Sequence, residues 1–452
     1  MNKRTLFFVT VVVCKILLAF SSVFAAPLPG NHMPVGAYDG GNNRYLIAYQ
    51  SIETSGSSIL VQLVDQDGTP VAPAVSIVSS TFLLSHPSVA FDDVNMRYLV
   101  VWQQPDGSDT DIYGQFVNTD GLLSKRDGTN GSDNFVICNN SFVQENPVLA
   151  FDDLNERYLV AWEDRRNGTY PDLYGQLVNA DGSLVDRDGN MIPDPDLDNF
   201  IISDAANSQS DLALALDGVN NKFIAVWRDD RFNAYSQVEI YAALINPDGS
   251  ILKSDFPVAD SIGTYKYNPA VSFDMNSNRF LVVWDDRLTS LSPGEVYGQL
   301  INADGSIFDS DGSGNGDSST DHFNISNDMA RAPRDSGVVF ESGSGTFLVV
   351  WMIGTSGGFP LDLYGQRVNP DGTLNGAQID IVVSADVDES TPYPVYNTSC
   401  GNSLVTFGSK DTLTGTATDI SFVTVGDCNS QAPADQQADS GGSGCFISAI
   451  GY

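Results

Sequence analysis

Short runs of acidic and arginine residues recur after a tryptophan, and they are the clearest candidates for chemistry. Each run begins directly after the Trp of a repeated block. Two neighbouring carboxyl groups suit glycoside hydrolysis, which needs one as an acid and one as a base or nucleophile. An arginine beside them suits a carboxylate ligand, because a guanidinium forms two parallel hydrogen bonds to it. The candidate acids are Glu163, Asp164, Asp229, Asp230, Asp285 and Asp286, and the candidate binding residues are Arg165, Arg231 and Arg287.

The recurrence of these acids favours a structural role over a catalytic one. A catalytic group is usually needed once, whereas ion pairs and loop hydrogen bonds between repeats are needed in every copy. The run is also incomplete, because Gln103 and Met352 follow the Trp in two other copies. The chain has no Gly-x-Ser-x-Gly motif, no His-Glu-x-x-His motif and no phosphate-binding loop. We therefore expect no catalytic residues, and a glycan-active hydrolase or lyase that uses the six acids is the alternative.

Three inserts rich in Asp and Gly are candidates for metal binding, at 125–133, 186–198 and 309–317. Alternating oxygen donors with glycines for sharp turns suit Ca²⁺, which takes six to eight hard oxygen ligands. Solvated polar loops without an ion are the alternative. The candidate ligands are Asp186, Asp188, Asn190 and Asp194 in one insert, and Asp309, Asp311 and Asp317 in another.

These residues belong to a unit that occurs seven times. The stretch Pro147 to Trp162 closely resembles Pro87 to Trp102 and Pro269 to Trp284, and four looser copies accompany them. All five tryptophans of the chain close this block, which chance does not readily explain. The closing aromatic residues are Tyr49, Trp102, Trp162, Trp227, Trp284, Trp351 and Phe407.

Each unit predicts four short antiparallel strands. An apolar run, a β-branched run ending in the aromatic residue, and a Tyr-Gly-Gln run are followed by an Asp-Gly turn and a weak fourth strand near Phe135 or Phe200. Four strands in roughly 55–65 residues are typical of a propeller blade. We therefore predict an all-β fold, a β-propeller of about seven four-stranded blades over residues 27–428. Six or eight blades, or a β-solenoid, are the alternatives, because no fourth strand is evident in the last copy.

Charge and the N-terminal segment indicate where the protein works. The chain has 452 residues and a net charge of −35, which disfavours nucleic acid as a partner because no basic surface would neutralise phosphate. Residues 1–26 have the charged start and apolar run of a signal peptide, so we expect export. A membrane anchor is the alternative for this segment, but Lys15 interrupts it, and no other segment approaches the length of a spanning helix.

The cysteines and the C-terminal tail also indicate an exported protein. Cys400 and Cys428 lie within one repeat, so we predict a disulfide between them, which leaves Cys138 to pair with Cys445. Residues 429–452 predict a flexible linker and a tail that includes Cys445-Phe-Ile. This tail resembles the Cys-Phe-Ile box of exported bacterial proteins, although 448–450 depart from it. The repeats resemble those of uncharacterised secreted bacterial β-propeller proteins, a resemblance that implies no activity.

Together these features predict a secreted or cell-surface propeller that binds a ligand or partner, a glycan or a protein, on its loops without catalysis. The alternatives are the glycan-active enzyme and a structural surface protein stabilised by Ca²⁺. Fold alone does not separate the three, since propellers host all of them.

Overall fold

The computed structural model contains only strands and turns, with no helix in the part of the chain that it describes. Several predictions fall outside that part: the signal peptide at 1–26, the ligand Asp188, Cys428, Cys445 and most of the C-terminal linker and tail. The described residues are 30–187, 189–232, 237–260, 264–289, 292, 294–327, 333–354, 361–383, 387–411, 419–426 and 449–450.

The strands form consecutive antiparallel sheets, each built from one sequence repeat. The strands of the first four blades are β1 (Gly30–Asp39), β2 (Arg44–Glu53), β3 (Gly56–Asp65) and β4 (Val75–Ser80) in blade 1; β5 (Ser85–Asp92), β6 (Arg97–Asp106), β7 (Asp109–Asn118), β8 (Leu123–Ser124) and β9 (Phe135–Cys138) in blade 2; β10 (Gln144–Asp152), β11 (Arg157–Asp164), β12 (Asp172–Asn179) and β13 (Phe200–Ser203) in blade 3; and β14 (Gln209–Asp217), β15 (Lys222–Asp229), β16 (Glu239–Ile245) and β17 (Ile251–Ala259) in blade 4.

The remaining blades follow the same order. Their strands are β18 (Tyr265–Asp274), β19 (Arg279–Arg287), β20 (Gly294–Asn302) and β21 (Phe323–Asn324) in blade 5; β22 (Pro333–Glu341), β23 (Thr346–Gly354), β24 (Leu361–Val368) and β25 (Leu374–Val382) in blade 6; and β26 (Val387–Tyr396), β27 (Ser403–Asp411) and β28 (Asp419–Val425) in blade 7. Blade 7 has three strands among the described residues, as the missing fourth-strand pattern indicated.

The blades close into a ring around an axis. The first strands are the innermost, and they contact one another in chain order from β1 to β26. The ring closes because blade 7 packs against blade 1: Asn397 Nδ2 donates to Asn43 Oδ1 at 2.9 Å, and Thr406 Oγ1 donates to the Pro34 carbonyl at 3.4 Å. The propeller prediction is confirmed, and the blade number is seven.

The aromatic residue that closes each repeat fills the space between blades. The second strands are buried along most of their length, as in β11, because both faces of each sheet are covered by neighbouring blades. All five tryptophans are fully buried. Trp227 packs with blade 3 and Trp284 with blade 4. The five tryptophans therefore pack the spaces between neighbouring blades.

The two ends of the strands form two different faces. The hairpin face carries the turns between first and second strands and between third and fourth strands. The loop face carries the connections between blades and the turns between second and third strands. In blade 3, Gln144 pairs with Asp164, and Leu173 pairs with Ser203, which places these four residues near the loop face. The residues after each Trp therefore lie on the loop face.

Many of the acids on the hairpin face cap turns. Asp92 ends β5, is fully buried, and accepts hydrogen bonds from the Val94 and Asn95 backbone N–H groups at 3.1 and 2.7 Å. Asp152 and Asp217 do the same in blades 3 and 4. These buried carboxylates satisfy turn donors that would otherwise be unpaired, so much of the acidic composition is structural.

The C-terminal end adds a short strand to the inner edge of blade 4. This strand, β29 (Ala449–Ile450), pairs antiparallel with β14, with Leu214 opposite Ala449 and Ala213 opposite Ile450. The rest of the predicted linker and tail, 429–448, lies outside the described residues.

Candidate functional site

A β-bulge occurs at the same place in all seven inner strands, close to the loop face. The pairing of each first strand with its second strand shifts across this position. The central residue has a positive φ of 47–55° in every blade, although none is glycine. All seven are partly exposed, so they surround the opening of the axis, and we call them the bulge ring: Met33, His86, Asn146, Asp211, Asn268, Asp335 and Thr391.

The first residue after the Trp joins its blade to the bulge of the next blade. Glu163 Oε1 accepts the Asp211 backbone N–H at 2.9 Å, and Asp285 Oδ2 accepts that of Asp335 at 3.0 Å. In blade 2, Gln103 Oε1 accepts the corresponding N–H of Asn146 at 2.8 Å. A neutral amide thus makes the contact that an acid makes elsewhere, so the contact itself requires no charge.

The second residue after the Trp binds the Trp itself. Asp164 accepts the Trp162 indole N–H at 2.8 Å, and Asp229 accepts that of Trp227 at 2.7 Å. Asp286 lies 3.4 Å from the Trp284 nitrogen. Successive side chains on a strand point to opposite faces. The three acids Asp164, Asp229 and Asp286 therefore lie on one side of their blades, and the preceding-position acids Glu163 and Asp285 lie on the other. The structure therefore divides the candidate acid pairs instead of joining them.

A cation completes each of these buried Trp–Asp contacts in blades 3 to 5. Arg166 lies 2.6 Å from Asp164, and Arg231 lies 2.7 Å from Asp229. In blade 5 the cation is Lys266, which comes from β18 and lies 4.0 Å from Asp286. Blade 6 has Ile353 at the acid's position, and the Trp351 nitrogen has no hydrogen-bond partner among the described residues.

The three predicted binding arginines occupy different environments. Arg231 belongs to the Trp–Asp contact and also faces Asp255 at 3.5 Å, so it is not part of the bulge ring's surroundings. Arg165 pairs with Glu145 at 2.7 Å beside the bulge of blade 3. Arg287 lies 3.6 Å from Asp285 and near the bulge of blade 6. Arg231 is the fourth residue after its Trp, whereas Arg287 is the third residue after its own. This offset of one residue places the two side chains on opposite faces of their blades.

A mixed cluster lies beside the bulge ring in blades 4 to 6, and it joins the predicted residues Asp230, Asp285 and Arg287 to six residues that the sequence did not single out. The guanidinium carbons of Arg228 and Arg287 lie 4.8 and 5.0 Å from the Tyr267 ring centroid. The Tyr265 and Tyr267 rings are stacked, with centroids 6.4 Å apart. We call this group the mouth cluster, and its members are Asp211, Arg228, Asp230, Tyr265, Tyr267, Asp285, Arg287, Arg334 and Asp335.

The acids of this region are held in an environment that favours their protonated forms. Burial raises the pKa of the Glu163 carboxyl from 4.5 to about 8, and the charge of Asp211 adds to the rise. Burial and the adjacent Asp335 carboxyl raise the pKa of Asp285 well above its usual range. Asn268 Nδ2 lies between these two carboxyls, at 3.1 Å from Asp285 and 2.7 Å from Asp335. Burial also raises the pKa of Asp335.

Exposed aromatic side chains are concentrated on the loop face. Phe82 and Phe142 lie in connections between blades, whereas Tyr170 and Phe232 lie in turns between second and third strands. Each is more than half exposed. The exposed apolar residues of the hairpin face, such as Leu154, are aliphatic in the part of the chain that the structure describes.

The Asp/Gly inserts fold around a buried aspartate at their end, which the sequence did not indicate. The two carboxylate oxygens of Asp198 accept the backbone N–H groups of Arg187 and Asp194 at 2.7 and 2.8 Å. Asp321 plays the same part in blade 5 and accepts the Asp317 N–H at 2.6 Å. The repeated spacing between the start of each insert and this aspartate is the signal that could have found it.

One insert brings together three carboxylates that could hold a metal ion. The carboxylates of Asp309, Asp311 and Asp321 offer oxygen atoms within 4.8 Å of one another. The predicted ligand Asp317 is outside this group, and its carboxylate accepts from Ser319 instead. In the other insert, the predicted ligands accept nearby backbone N–H groups: Asp186 from Gly189 and Met191, Asn190 from Ile192, and Asp194 from Asp196 and Leu197.

The cysteines differ in state. Cys400 is disulfide-bonded, but the predicted pair with Cys428 stays a prediction because Cys428 lies outside the described residues. Cys138 is a free, buried thiol, so its predicted pairing with Cys445 is wrong. Its Sγ accepts from Arg166 at 3.4 Å and donates to Asn199 at 3.3 Å, which satisfies it within blades 2 and 3.

The part of the chain that the structure describes contains no helix long and apolar enough to cross a membrane.

Comparison with known proteins identifies similar structures but no family. No protein-family model and no curated protein matches the chain. A Dyadobacter fermentans protein of unknown function has 12% identity and a TM-score of 0.48, with 75% of this chain and 94% of that chain covered. A Fusarium graminearum α-L-arabinofuranosidase has 12% identity and a TM-score of 0.45, with 88% and 92% covered. A Pyrococcus horikoshii acylaminoacyl peptidase has 9% identity and a TM-score of 0.45, with 85% of this chain but only 49% of that chain covered. Likeness at these identities concerns the fold alone.

Proposed function

We propose that this protein is an exported, non-catalytic β-propeller that binds a glycan on its loop face. The observation that carries the proposal is the placement of the four exposed aromatic side chains, Phe82, Phe142, Tyr170 and Phe232, on loops of that face. Aromatic rings combine a large apolar surface with a flat shape, so they suit both sugar rings and protein partners. The charged start and apolar run of residues 1–26 support export.

The contacts of the six candidate acids support the absence of catalysis. Glu163 and Asp285 join neighbouring blades, and Asp164, Asp229 and Asp286 lie beside Trp nitrogens. The sixth acid is paired with Arg228 at 3.0 Å. A structural contact thus accounts for each acid.

A binding screen with matched variants tests the proposal. The mature protein is tested against a polysaccharide panel, together with Phe142→Ala and Tyr170→Ala. The control is Leu154→Ala, which removes an exposed apolar side chain from the hairpin face. We expect binding to at least one glycan, weakened about tenfold by a loop-face substitution and unchanged by the control. Binding that neither loop-face substitution weakens would place the site elsewhere, and failure to bind any glycan would overturn the proposal.

A glycan-active hydrolase is the second candidate, and one observation favours it. A general acid must hold its proton at the working pH, and the raised pKa of Glu163, about 8, satisfies this condition. The test is product release from the same panel, with Glu163→Gln and Asp285→Asn as variants. Turnover that both substitutions abolish would establish the enzyme and overturn the binding-only proposal.

A Ca²⁺-stabilised structural role is the third candidate. The donor set of Asp309, Asp311 and Asp321 consists of carboxylate oxygens alone, which fits a hard cation such as Ca²⁺. An ion that binds only the folded state raises the melting temperature, and the rise grows with the ratio of the ion concentration to its dissociation constant. We expect added Ca²⁺ to raise the melting temperature of the wild type but not of Asp321→Asn. A wild-type melting temperature that neither Ca²⁺ nor a chelator changes would contradict this role.

A further inference from the structure

The mouth cluster brings three arginines together with four aspartates in a strongly acidic protein. The chain has 57 acidic and 22 basic residues. Even so, Arg228 and Arg287 both lie against the Tyr267 ring, and Arg287 and Arg334 both lie near the Asp335 carboxyl. Such a grouping is unexpected from composition, so the positions of these arginines need an explanation.

Arg228 is neutralised within the cluster, but the other two arginines are not. Arg228 lies 3.0 Å from Asp230 and 3.9 Å from Asp211. Arg287 has one ion-pair partner among the described residues, Asp285, at 3.6 Å. Arg334 has no ion pair or hydrogen bond to any residue that the structure describes, and its buried Nε has no partner there.

Two acids lie beside Arg287 and Arg334. Asp285 and Asp335 share one buried site, and like charges this close disfavour double ionisation. Both have a raised pKa because of burial, and the Asp335 charge adds to the rise at Asp285. Two carboxyl groups that resist ionising together thus lie beside the two guanidinium groups.

The surroundings of the two arginines provide a flat surface and further hydrogen-bonding groups. The stacked Tyr265 and Tyr267 rings lie beside Arg287, and both rings are partly exposed. The Arg287 side chain is 23% exposed, so its guanidinium is accessible from the mouth. Asn268 and Asp335, which lie next to them, are the bulge residues of their blades and can accept hydrogen bonds from hydroxyl groups.

We infer that the mouth cluster binds the carboxylate of an acidic sugar between Arg287 and Arg334, with the sugar ring against Tyr265 and Tyr267. This inference rests on the proposed glycan-binding function and names its ligand class. A guanidinium pair binds a carboxylate through parallel charge-assisted hydrogen bonds, and sugar hydroxyls donate to the adjacent carboxyl oxygens. A doubly charged group is less suitable, because Asp211, Asp230 and the net charge of the chain oppose a second negative charge.

The experiment compares one oligosaccharide with and without its charge. Binding of the mature full-length protein to oligogalacturonate and to its methyl ester is measured by titration calorimetry. The ester keeps the sugar and removes the anion. Arg287→Gln and Arg334→Gln remove one arginine each. Arg126→Gln is the matched control, because it makes the same charge change on an exposed hairpin-face insert.

We expect the acid to bind at least tenfold more tightly than the ester, and each mouth substitution to reduce the affinity for the acid at least tenfold. The Arg126→Gln variant keeps the wild-type affinity, and unfolding midpoints confirm that the mouth variants are folded. A mannuronate oligomer replaces the galacturonate if the latter does not bind.

The contrary outcomes separate this inference from the proposed function. Equal binding of acid and ester, weakened by Tyr265→Ala but not by the arginine substitutions, overturns the acidic ligand and keeps glycan binding. Binding of a sulfated oligosaccharide in place of both uronates also overturns the carboxylate assignment. If neither uronate binds but neutral glycans bind through Phe142 or Tyr170, the mouth cluster is not the site, and the proposed function stands.

Discussion

Replacing Glu163 by Gln tests the view that this acid joins two blades and costs stability as the pH rises above the ordinary pKa of a glutamate. The Glu163 side chain is almost fully buried and accepts from the Asp211 N–H at 2.9 Å and from Asn146 Nδ2 at 3.0 Å. A glutamine oxygen can accept both hydrogen bonds, as Gln103 does for one of them in blade 2. The substitution therefore removes the ionisable carboxyl group and keeps the hydrogen bond between the two blades.

The effect must depend on pH with a definite sign. The pKa of Glu163 is about 8 in the folded protein, and its ordinary value is 4.5. The folded state therefore holds the proton more tightly than the unfolded chain, and stability falls as pH rises from about 4.5 to about 8. At pH 7 roughly two and a half units of this range have been crossed, at about 1.4 kcal/mol per unit. Glu163 stays largely protonated in the folded protein at pH 7, whereas it is ionised in the unfolded chain, and this difference lowers the free energy of unfolding by about 3 kcal/mol.

The assay is urea unfolding at a series of pH values from 4.5 to 8, followed by fluorescence of the buried tryptophans. Glu163→Gln is expected to match the wild type near pH 4.5 and to exceed it by about 3 kcal/mol at pH 7. Gln103→Glu is the reverse control in blade 2 and should lose stability with rising pH, although less, because this position is partly exposed. A difference between Glu163→Gln and the wild type that is the same at every pH would refute the reasoning.

Three further predictions concern packing and buried charge. Asp229→Ala removes the acceptor of the Trp227 N–H and the 2.7 Å partner of Arg231, so we expect a loss of about 3 kcal/mol in chemical unfolding; the exposed turn acid Asp67 replaced by Ala is the control, and equal effects would contradict the role of the buried pair. Gly175→Ala places a Cβ 2.8 Å from the Phe200 ring, and we expect a loss of about 1–3 kcal/mol; an unchanged unfolding midpoint would show that Phe200 moves aside freely. Burial raises the pKa of Cys138, so the thiol should react with a thiol reagent only on unfolding; rapid labelling of the native protein would contradict its burial.

Repetition in the sequence was enough to predict the architecture. The Trp-ended block, the Tyr-Gly-Gln run and the Asp-Gly turn each correspond to a structural element, because apolar runs and turn residues act through local geometry. The weak fourth strands near Phe135 and Phe200 were also found, as β9 and β13. The sequence predicted about seven blades but kept six and eight as alternatives, because ring closure depends on contacts between the first and last repeats.

The grouping of the candidate acids was less predictable. The adjacent residues Glu163 and Asp164 read as a pair, but they lie on opposite faces of β11 and serve different partners. Arg231 was grouped with Arg287, although one residue of offset separates their positions after the Trp. The alternation of side chains along the second strand could have separated these residues. It applies to them only if the strand continues past the Trp, and the sequence does not show where the strand ends.

By itself, the sequence determined that seven similar units form an all-β array and that many of their acidic residues lie in or next to turns. Only the tertiary structure decided which residues meet at the axis. The bulge ring depends on a backbone conformation, a positive φ at seven positions that are occupied by five different residue types, so no shared side chain predicts it. The mouth cluster joins Arg228, Arg287 and Arg334, which are far apart in the chain, because ring closure brings successive inner strands together. Such proximity arises from packing between repeats, so it cannot be inferred from the sequence pattern within one repeat.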